Sequence, residues 1–313
     1  MNTSSLIFPV KSDTLNAKFS QCESLSQCDE QFFIRYTEIN RFLEEIHDIF
    51  NMFYYNLQWF EDSFSITFMG EISFRKKFLS PQEIFIAANA NLINIISAGK
   101  TLIDALDNFV TSPNFKPGSK QNNYSDYRRS IFASSFAYQF MYFLRNFSQH
   151  GHLPISYDAS SRHYYFDLWR ILETPHYDWK NKDRVIIERI KDEIMKKYAH
   201  TPSISIMITF AQYIKDIADL YEKFWCYIAD ELLQTMATLP DIIKKYPKNN
   251  LHDTNSSIDF FVFQLSPRVN GITTENAHQS IYYTYHAQAI DFFTERERKL
   301  AYILKEIAVP QSC

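Results

Sequence analysis

Glycine and cysteine are scarce in this chain, and each shortage excludes a class of protein. Only five Gly occur among 313 residues, and neither the Gly-rich phosphate loop of ATPases and GTPases nor the dinucleotide fingerprint of dehydrogenases is present. The four cysteines, Cys22, Cys28, Cys226 and Cys313, are too scattered for a disulfide framework, and Cys22 and Cys28 lack a second pair at zinc-ligand spacing. We therefore expect a protein of a reducing compartment.

Long apolar runs and a strong net charge are also lacking. The most apolar window, 204–214, is interrupted by Gln212 and followed by Lys215, and it is far shorter than a membrane span. The first residues show no order typical of a secretory signal. A net charge of -4 argues against coating nucleic acid through bulk charge, but it permits a local basic cleft. The sequence predicts a cytoplasmic protein without a membrane partner.

Aromatic residues, by contrast, are abundant, with 28 Phe and 20 Tyr. Apolar side chains recur every three or four positions in 32–60 and again in 206–228, a spacing that predicts long helices with one buried face. After residue 153 the pattern changes to alternation, which predicts two strands around residues 158–161. We therefore predict a mainly α fold, a bundle of long antiparallel helices with a small β-hairpin.

Several local signals predict where these elements begin and end. Ser80 and Pro81 are typical of a helix start. The alternation of Phe64, Ile66 and Phe68 indicates a short hairpin or a surface excursion. A loop is predicted over 111–123, followed by a helix capped by Ser125 and Asp126, and a further helix over 182–198. The next helix is predicted to begin at Thr201-Pro202 and to end near Pro240 and Pro247. The last predictions are a strand over 260–265 and a helix over about 275–307.

These signals predict three segments. Residues 1–28 are rich in Ser and weakly patterned, and we expect a flexible leader. Residues 29–245 are expected to form a helical domain with a β insertion at about 153–172. Residues 246–313 are expected to form a strand-plus-helix extension packed on the same domain.

The end of one predicted helix carries the residues best suited to chemistry, Arg145-Asn146-Phe147-Ser148-Gln149-His150. The six residues supply a permanent cation, an amide and an imidazole, which can hold a phosphodiester and move protons without a metal. Gly151 and Pro154 follow at once and predict that the helix ends there.

The spacing of Arg and His decides nothing by itself, because Arg41 with His47 and Arg170 with His176 are spaced almost alike. Residues five apart lie about 140° apart on an ideal helix, so Arg145 and His150 would not share a face. Asn146 and His150 would share one, as would Arg145 and Gln149. A joint site therefore requires a frayed helix end or two copies of the chain.

This motif resembles the Arg-polar-x-x-x-His signature of the HEPN superfamily of ribonucleases and toxins. The resemblance extends over residues 30–240, although only the six-residue motif is specific to the family. Two features depart from the family pattern: Gly151-His152 stand where a Tyr often follows the His, and residues 250–313 have no obvious counterpart.

The resemblance implies a metal-independent endoribonuclease that needs no cofactor and leaves 2′,3′-cyclic phosphate and 5′-OH ends. His150 would move the protons, Arg145 would hold the phosphate, and Asn146 would orient either one. It also implies a homodimer or a higher even oligomer that acts on RNA. Such proteins often serve as toxins or phage-defence effectors, so an antitoxin or another defence protein is a further expected partner.

Other polar residues near the motif leave alternatives open. His152, Gln149, Arg128 and Arg129 are candidate substrate-binding residues, although charges of this kind also solvate helix surfaces. His150 and His152 could instead begin a metal site completed by Asp158 or His163, without a diagnostic spacing. The aromatic residues that could stack on bases, or simply fill a core, are Tyr164, Tyr165 and Trp169. The rival function is an inactive helical module that binds RNA or protein as a regulatory subunit.

Overall fold

The structure, a computed structural model, describes residues 5–10, 18–24, 26–68, 80–112, 119–158, 163–174, 181–198, 203–245, 260–265 and 269–275. Within these ranges the chain is mainly helical, which confirms the predicted fold class. The helices are α1 (Gln27–Phe68), α2 (Pro81–Thr111), α3 (Ser119–Ser134), α4 (Phe136–Gln149), α5 (Leu168–Glu173), α6 (Asn181–Tyr198) and α7 (Ile206–Lys244). The strands are β1 (Ser5–Val10), β2 (Lys18–Ser24), β3 (Ile155–Asp158), β4 (His163–Asp167), β5 (Ser203–Ser205), β6 (Phe260–Leu265) and β7 (Val269–Glu275).

The chain forms two compact units. The first comprises the described parts of 1–45, 112–116 and 225–294, and the second comprises those of 46–111, 117–224 and 295–313. The predicted division at residues 28 and 245 stays a prediction. The expected last helix over 275–307 lies outside the described residues.

An antiparallel sheet in the order β2-β1-β6-β7 belongs to the first unit. Strand β1 pairs with β2 on one side and with β6 on the other, with Leu6 opposite Phe263. The strand over 260–265 is thereby confirmed. Residues 1–28 were expected to hold no strand, whereas the structure places β1 and β2 there. The partner of β1 on its second side, β6, lies some 250 residues further along the chain, so local patterning does not reveal the pairing.

In the same unit, a cap and an ion pair fix the start of α1. The Asp29 amide donates to Ser26 Oγ at 3.2 Å, and the Ser26 hydroxyl donates to Asp29 Oδ2 at 2.7 Å. Lys245 Nζ, just beyond α7, lies 3.0 Å from Asp29 Oδ1. Asp29 is only 5% exposed, so its charge needs these partners.

The second unit is built on helices that pack along their lengths. Phe50 stacks on Tyr221 at 4.9 Å between ring centroids, and Phe60 packs on Phe210 at 4.0 Å. Residue numbers fall along α7 as they rise along α1, so these helices are antiparallel, as predicted. The Tyr213 hydroxyl approaches α2 so closely at Gly99 that a Cβ on that residue would collide with it.

Two predicted boundaries in this unit are confirmed. Pro81 is the first residue of α2, and Ser80 and Glu83 cap it reciprocally through Ser80 N–H to Glu83 Oε2 at 2.7 Å and Glu83 N–H to Ser80 Oγ at 3.3 Å. The predicted strands after the motif are β3 and β4, which pair with Ser156 opposite Tyr165 and form a three-stranded sheet with β5.

Three other predictions are wrong. Phe64–Phe68 continue α1 instead of forming a hairpin, and α3 begins at Ser119, so Ser125 and Asp126 lie inside it instead of capping it. After Thr201-Pro202 the chain first forms β5, and α7 starts only at Ile206. The end of α7 agrees with its prediction, because the helix stops at Lys244, between Pro240 and Pro247.

The break between α3 and α4, which sets where α4 begins, is held by buried polar side chains. Ser135 is the N-cap of α4 and accepts from the Tyr138 amide at 3.2 Å. Its hydroxyl donates to Asp216 Oδ2 on α7, whose other oxygen accepts from Gln212 Nε2 at 2.9 Å. Gln139, 5% exposed, donates to the Phe132 and Ala133 carbonyls at the end of α3. These bonds satisfy groups that a helix break would otherwise leave unpaired.

Replacing Asp216 tests this anchor. Asp216→Ala is expected to lower the free energy of unfolding by about 1–3 kcal/mol, because Ser135 and Gln212 lose a buried acceptor. Asp216→Asn keeps an acceptor and gains a donor, so we expect a smaller loss. Urea titrations of the three proteins measure both effects; equal stability of Asp216→Ala and wild type would contradict the anchor.

The same residue predicts a dependence on pH. Burial raises the pKa of Asp216, against the lowering effect of the Ser135 and Gln212 hydrogen bonds. The folded state therefore binds the proton more tightly than the unfolded state, and stability from this group is present below the unfolded pKa and is lost as pH rises through the folded pKa. Relative to Asp216→Asn, the wild type should gain stability as pH falls toward 4.

Among the described residues, no helix combines the length and apolar character needed to cross a membrane.

Candidate functional site

The motif occupies the last turns of α4, and the structure confirms that the helix ends where Gly151 predicts. His150 is the C-cap, and its amide donates to the Phe147 carbonyl at 3.3 Å. Gly151 follows with φ of +87°, a left-handed conformation that favours glycine, and its amide donates to the Ser148 carbonyl at 3.0 Å. The helix itself is deeply embedded and contacts α2, α3 and α6, so the position of the motif is fixed by packing.

Arg145 interacts with the next turn of its own helix. Its Nη1 donates to Gln149 Oε1 at 3.3 Å, the pairing expected of residues four apart. Burial raises the pKa of Tyr213 on α7, and the positive charge of Arg145 opposes that rise. Arg145 Nε is buried and makes no hydrogen bond within the described part of the chain.

Asn146 lies on another face and lines a cavity of about 360 Å³ between α2, α3, α4 and α6. Its amide makes no side-chain hydrogen bond to the described residues, so a donor and an acceptor remain available there. We call this cavity the cationic cleft, because its lining carries three cations and one carboxylate. These charged residues are Lys100, Arg128, Arg129 and Asp104.

Each cation of the cationic cleft has an acidic neighbour. Lys100 pairs with Asp104, and its Nζ lies 5.7 Å from the centroid of the Tyr142 ring, which also lines the cleft. Arg128 Nε lies 3.3 Å from Asp107 Oδ1, and Arg129 Nη1 lies 3.0 Å from Asp126 Oδ1. The Arg129 pair is largely exposed, so water screens it and an anionic ligand can replace its carboxylate at small cost.

The two histidines lie beyond the cationic cleft. His150 is exposed at the helix end, with its main-chain amide used in the cap. The His152 ring stacks on Phe147 at 4.9 Å between centroids, at an interplanar angle of 26°, which ties it to the core of α4. His152 is half-buried and His150 is not, so His150 is the imidazole more open to a substrate or to a second chain.

The structure thus brings some predicted residues together and separates others. Asn146, Arg128 and Arg129, about 18 residues apart in sequence, line one cavity. Arg145 and Gln149 contact each other, while neither they nor His150 and His152 belong to that lining. Neither Arg145 nor His150 thus joins Asn146 in the lining of that cavity. The spacing predicted that Arg145 and His150 would not share a helical face, whereas it predicted a shared face for Asn146 and His150.

Sequence reasoning missed Lys100 and Tyr142, which complete the cationic cleft. A Lys and an Asp four apart at 100 and 104 are a common pair on a helix surface, so the spacing gave no reason to single them out. Only the packing of α2 beside α4 reveals that this surface pair faces Asn146.

The three aromatic residues proposed for base stacking have different surroundings. Tyr164 is 9% exposed, and its ring packs on Tyr157 at 4.7 Å, as expected of a core residue. Trp169 is 38% exposed and lies under Lys191 Nζ, 3.0 Å from the ring centroid. Tyr165 lines a second cavity, described below.

The described residues contain no ligand group for the alternative of a metal site. Among the residues that the structure describes, no three His, Cys, Asp or Glu side chains gather closely enough to hold a metal ion. The side chain of His163, which was one of the candidate ligands, lies outside the described part.

Comparison with models of protein families, with curated proteins and with solved structures finds no significant match for this chain. The assignment of the candidate site therefore rests on the residues of this chain and on the resemblance of the motif.

Proposed function

We propose that this protein is a metal-independent endoribonuclease of the HEPN type that cleaves RNA by attack of a ribose 2′-OH. The observation that carries the proposal is the cationic cleft, in which the motif residue Asn146 faces Lys100, Arg128 and Arg129. A cleft with these groups suits the backbone of a single RNA strand, because a phosphate can replace the exposed carboxylate partner of Arg129, and the Asn146 amide can bond to a phosphate or a 2′-OH.

The proposed reaction uses two copies of the chain. Since Arg145 and His150 lie on different sides of one helix end, a second copy supplies the missing partner across a two-fold axis. His150 takes the proton from the 2′-OH or gives one to the 5′-oxygen, and Arg145 stabilises the charge on the phosphate. The products are 2′,3′-cyclic phosphate and 5′-OH ends. The role as a toxin or phage-defence effector in the cytoplasm follows from the resemblance alone.

The experiment is cleavage of a labelled single-stranded RNA by the purified protein in EDTA. We expect products with 2′,3′-cyclic phosphate ends, identified by their resistance to ligation until the phosphate is removed. Cleavage that disappears in EDTA would contradict the metal-independent reaction.

A second candidate function is an inactive module that binds RNA. It is favoured by the separation of Arg145, Asn146 and His150 within one chain, because a binding protein needs the cationic cleft without the assembled motif. Tight binding of RNA by a protein that cleaves no RNA, as a dimer or otherwise, would establish this alternative and overturn the nuclease.

Arg129→Ala tests whether the cationic cleft contacts RNA. Arg129 is largely exposed, so its loss should leave the fold intact while it weakens binding and reduces the slope of log affinity against log salt by about 0.7–1. The measurement is fluorescence anisotropy with a His150→Ala chain over a series of salt concentrations.

A matched control is Arg184→Ala on α6. Arg184 is also an exposed arginine in an ion pair, at 2.8 Å from Glu188, but it does not line the cationic cleft. It should keep the salt slope of the parent. An equal change of the salt slope in both variants would mean that RNA binding depends only on the net charge of the protein.

A further inference from the structure

A second cavity, of about 570 Å³, opens between β3 and the start of α2, and we call it the strand pocket. This volume is within the range of small-ligand sites. Its lining includes three half-buried aromatic side chains, Phe85, Tyr157 and Tyr165. Aromatic faces at this degree of burial suit a flat ligand, which gains by stacking on them.

Arg170 supplies the strand pocket with an oriented cation. Its Nε donates to Ser156 Oγ at 2.8 Å, and its Nη2 donates to the carbonyls of Leu153 at 2.8 Å and Pro154 at 3.0 Å. Nη1 makes no hydrogen bond to the described residues. A guanidinium that is held in place and keeps a spare donor is well suited to a phosphate oxygen.

Two further polar side chains of the lining suit the edge of a nucleobase. The exposed Gln82 amide makes no hydrogen bond to the described residues, and it can both donate and accept. Asp167 caps α5 by accepting from the Arg170 amide at 3.0 Å through Oδ1, which leaves Oδ2 as an acceptor. A carboxylate acceptor favours bases that carry an amino group.

The strand pocket is poorly suited to an added peptide strand. Although β3 is at the edge of its sheet, the Ile155 amide already donates to Asn89 Oδ1 on α2 at 2.9 Å. Arg170 occupies the carbonyls of Leu153 and Pro154. A peptide that paired along this edge would have to displace these bonds, whereas a base needs only the aromatic faces and the free polar groups.

We infer that the strand pocket is a base-recognition subsite for single-stranded RNA, in which an unpaired adenine or cytosine stacks on Tyr165 and its phosphate contacts Arg170. The choice of RNA as the source of the base rests on the proposed function. His150 and Ile155, which lines the pocket, are five positions apart in the chain, so their Cα atoms lie within about 18 Å. A strand bound at His150 therefore reaches the pocket within a few nucleotides.

The test measures binding to the His150→Ala chain, so that no cleavage interferes. Titration with short oligo(A), oligo(C) and oligo(U), and with AMP and UMP, should give tighter binding of the amino-bearing bases. Tyr165→Ala should weaken oligo(A) binding about tenfold or more, while Tyr165→Phe keeps the ring and the affinity. Asp167→Asn, which keeps an acceptor for the α5 cap, should reduce the preference for adenine over uracil, while Gln82→Ala, at an exposed position, should weaken the binding of both bases. Tyr55→Ala, which removes an exposed ring on α1, is the matched control.

The outcomes separate the two sources of the base. Displacement of AMP by oligo(A) identifies an RNA strand as the ligand. Binding of AMP that oligo(A) does not displace would make the ligand a free nucleotide and overturn the RNA subsite, as would equal affinity for adenine and uracil or an unchanged Tyr165→Ala. Because the assay uses a chain without His150, its failure leaves the proposed cleavage untouched, and absence of cleavage in the wild type leaves the subsite untouched.

Discussion

Replacing His150 by Ala is expected to reduce the rate of RNA cleavage by about 10²–10⁴-fold, the usual contribution of general acid–base catalysis. His150 is exposed and its main-chain amide forms the helix cap, so the substitution keeps the backbone bond that ends α4. The fold should therefore survive, with an unchanged unfolding curve. The measurement is the initial cleavage rate of a labelled RNA at saturating protein.

His47→Ala is the control for this substitution. His47 is an imidazole on α1 that hydrogen-bonds Asn51 at 3.0 Å and belongs to neither cavity. Cleavage by His47→Ala should match the wild type. If His150→Ala cleaves RNA as fast as the wild type, the proposed active site is wrong.

Mixing two inactive chains tests the requirement for a second copy. Arg145→Ala and His150→Ala are each expected to be inactive alone, because one lacks the phosphate-binding cation and the other lacks the proton-transfer group. In a mixed dimer, one site would still combine Arg145 of one chain with His150 of the other. Activity should therefore reappear after the two proteins are mixed and allowed to exchange subunits.

A mixture that stays inactive would contradict a site shared between two chains. If the mixture stays inactive although mixed dimers form, as detected with two affinity tags, Arg145 and His150 do not act across chains. Cleavage by a wild-type monomer would also contradict a site shared between copies.

The second large effect is expected on stability, from a substitution in the core beneath α4. Phe140 is fully buried, and its ring meets Phe166 of β4 edge to face at 5.3 Å between centroids. Phe140→Ala should lower the free energy of unfolding by about 3–5 kcal/mol, because it removes a buried ring and leaves a cavity between α4 and the small sheet. Urea unfolding measures the loss as a lower midpoint at an unchanged slope.

Tyr55→Ala is the matched aromatic control for stability. Tyr55 is 62% exposed on α1, so its removal should change the free energy of unfolding by no more than about 0.5 kcal/mol. Similar losses in the two variants would show that Phe140 does not join α4 to the sheet in the way that its contacts indicate.

Local signals in the sequence predicted those boundaries that neighbouring residues determine. Ser80 and Glu83 cap α2 by bonds within one turn, and Gly151 ends α4 through its own backbone conformation. The boundary at Ser135 was not predicted, because it depends on Asp216, which is 81 residues away in sequence. The predicted hairpin at Phe64–Phe68 is wrong because these residues form the last turns of α1. A short alternation of apolar residues does not by itself distinguish a strand from the end of a helix.

The sequence by itself determined that the protein is mainly helical, where α4 ends, and that Arg145 and His150 cannot share a helical face. Each of these follows from spacing along one segment, and spacing is fully contained in the sequence. Only the tertiary structure decided which side chains face Asn146, and it brought Lys100 of α2 and Arg128 of α3 to the cationic cleft. It also made the strand pocket, in which Gln82 and Arg170, 88 residues apart, line one cavity. The physical reason is that a cleft forms between packed elements, and its lining depends on contacts that no single segment contains.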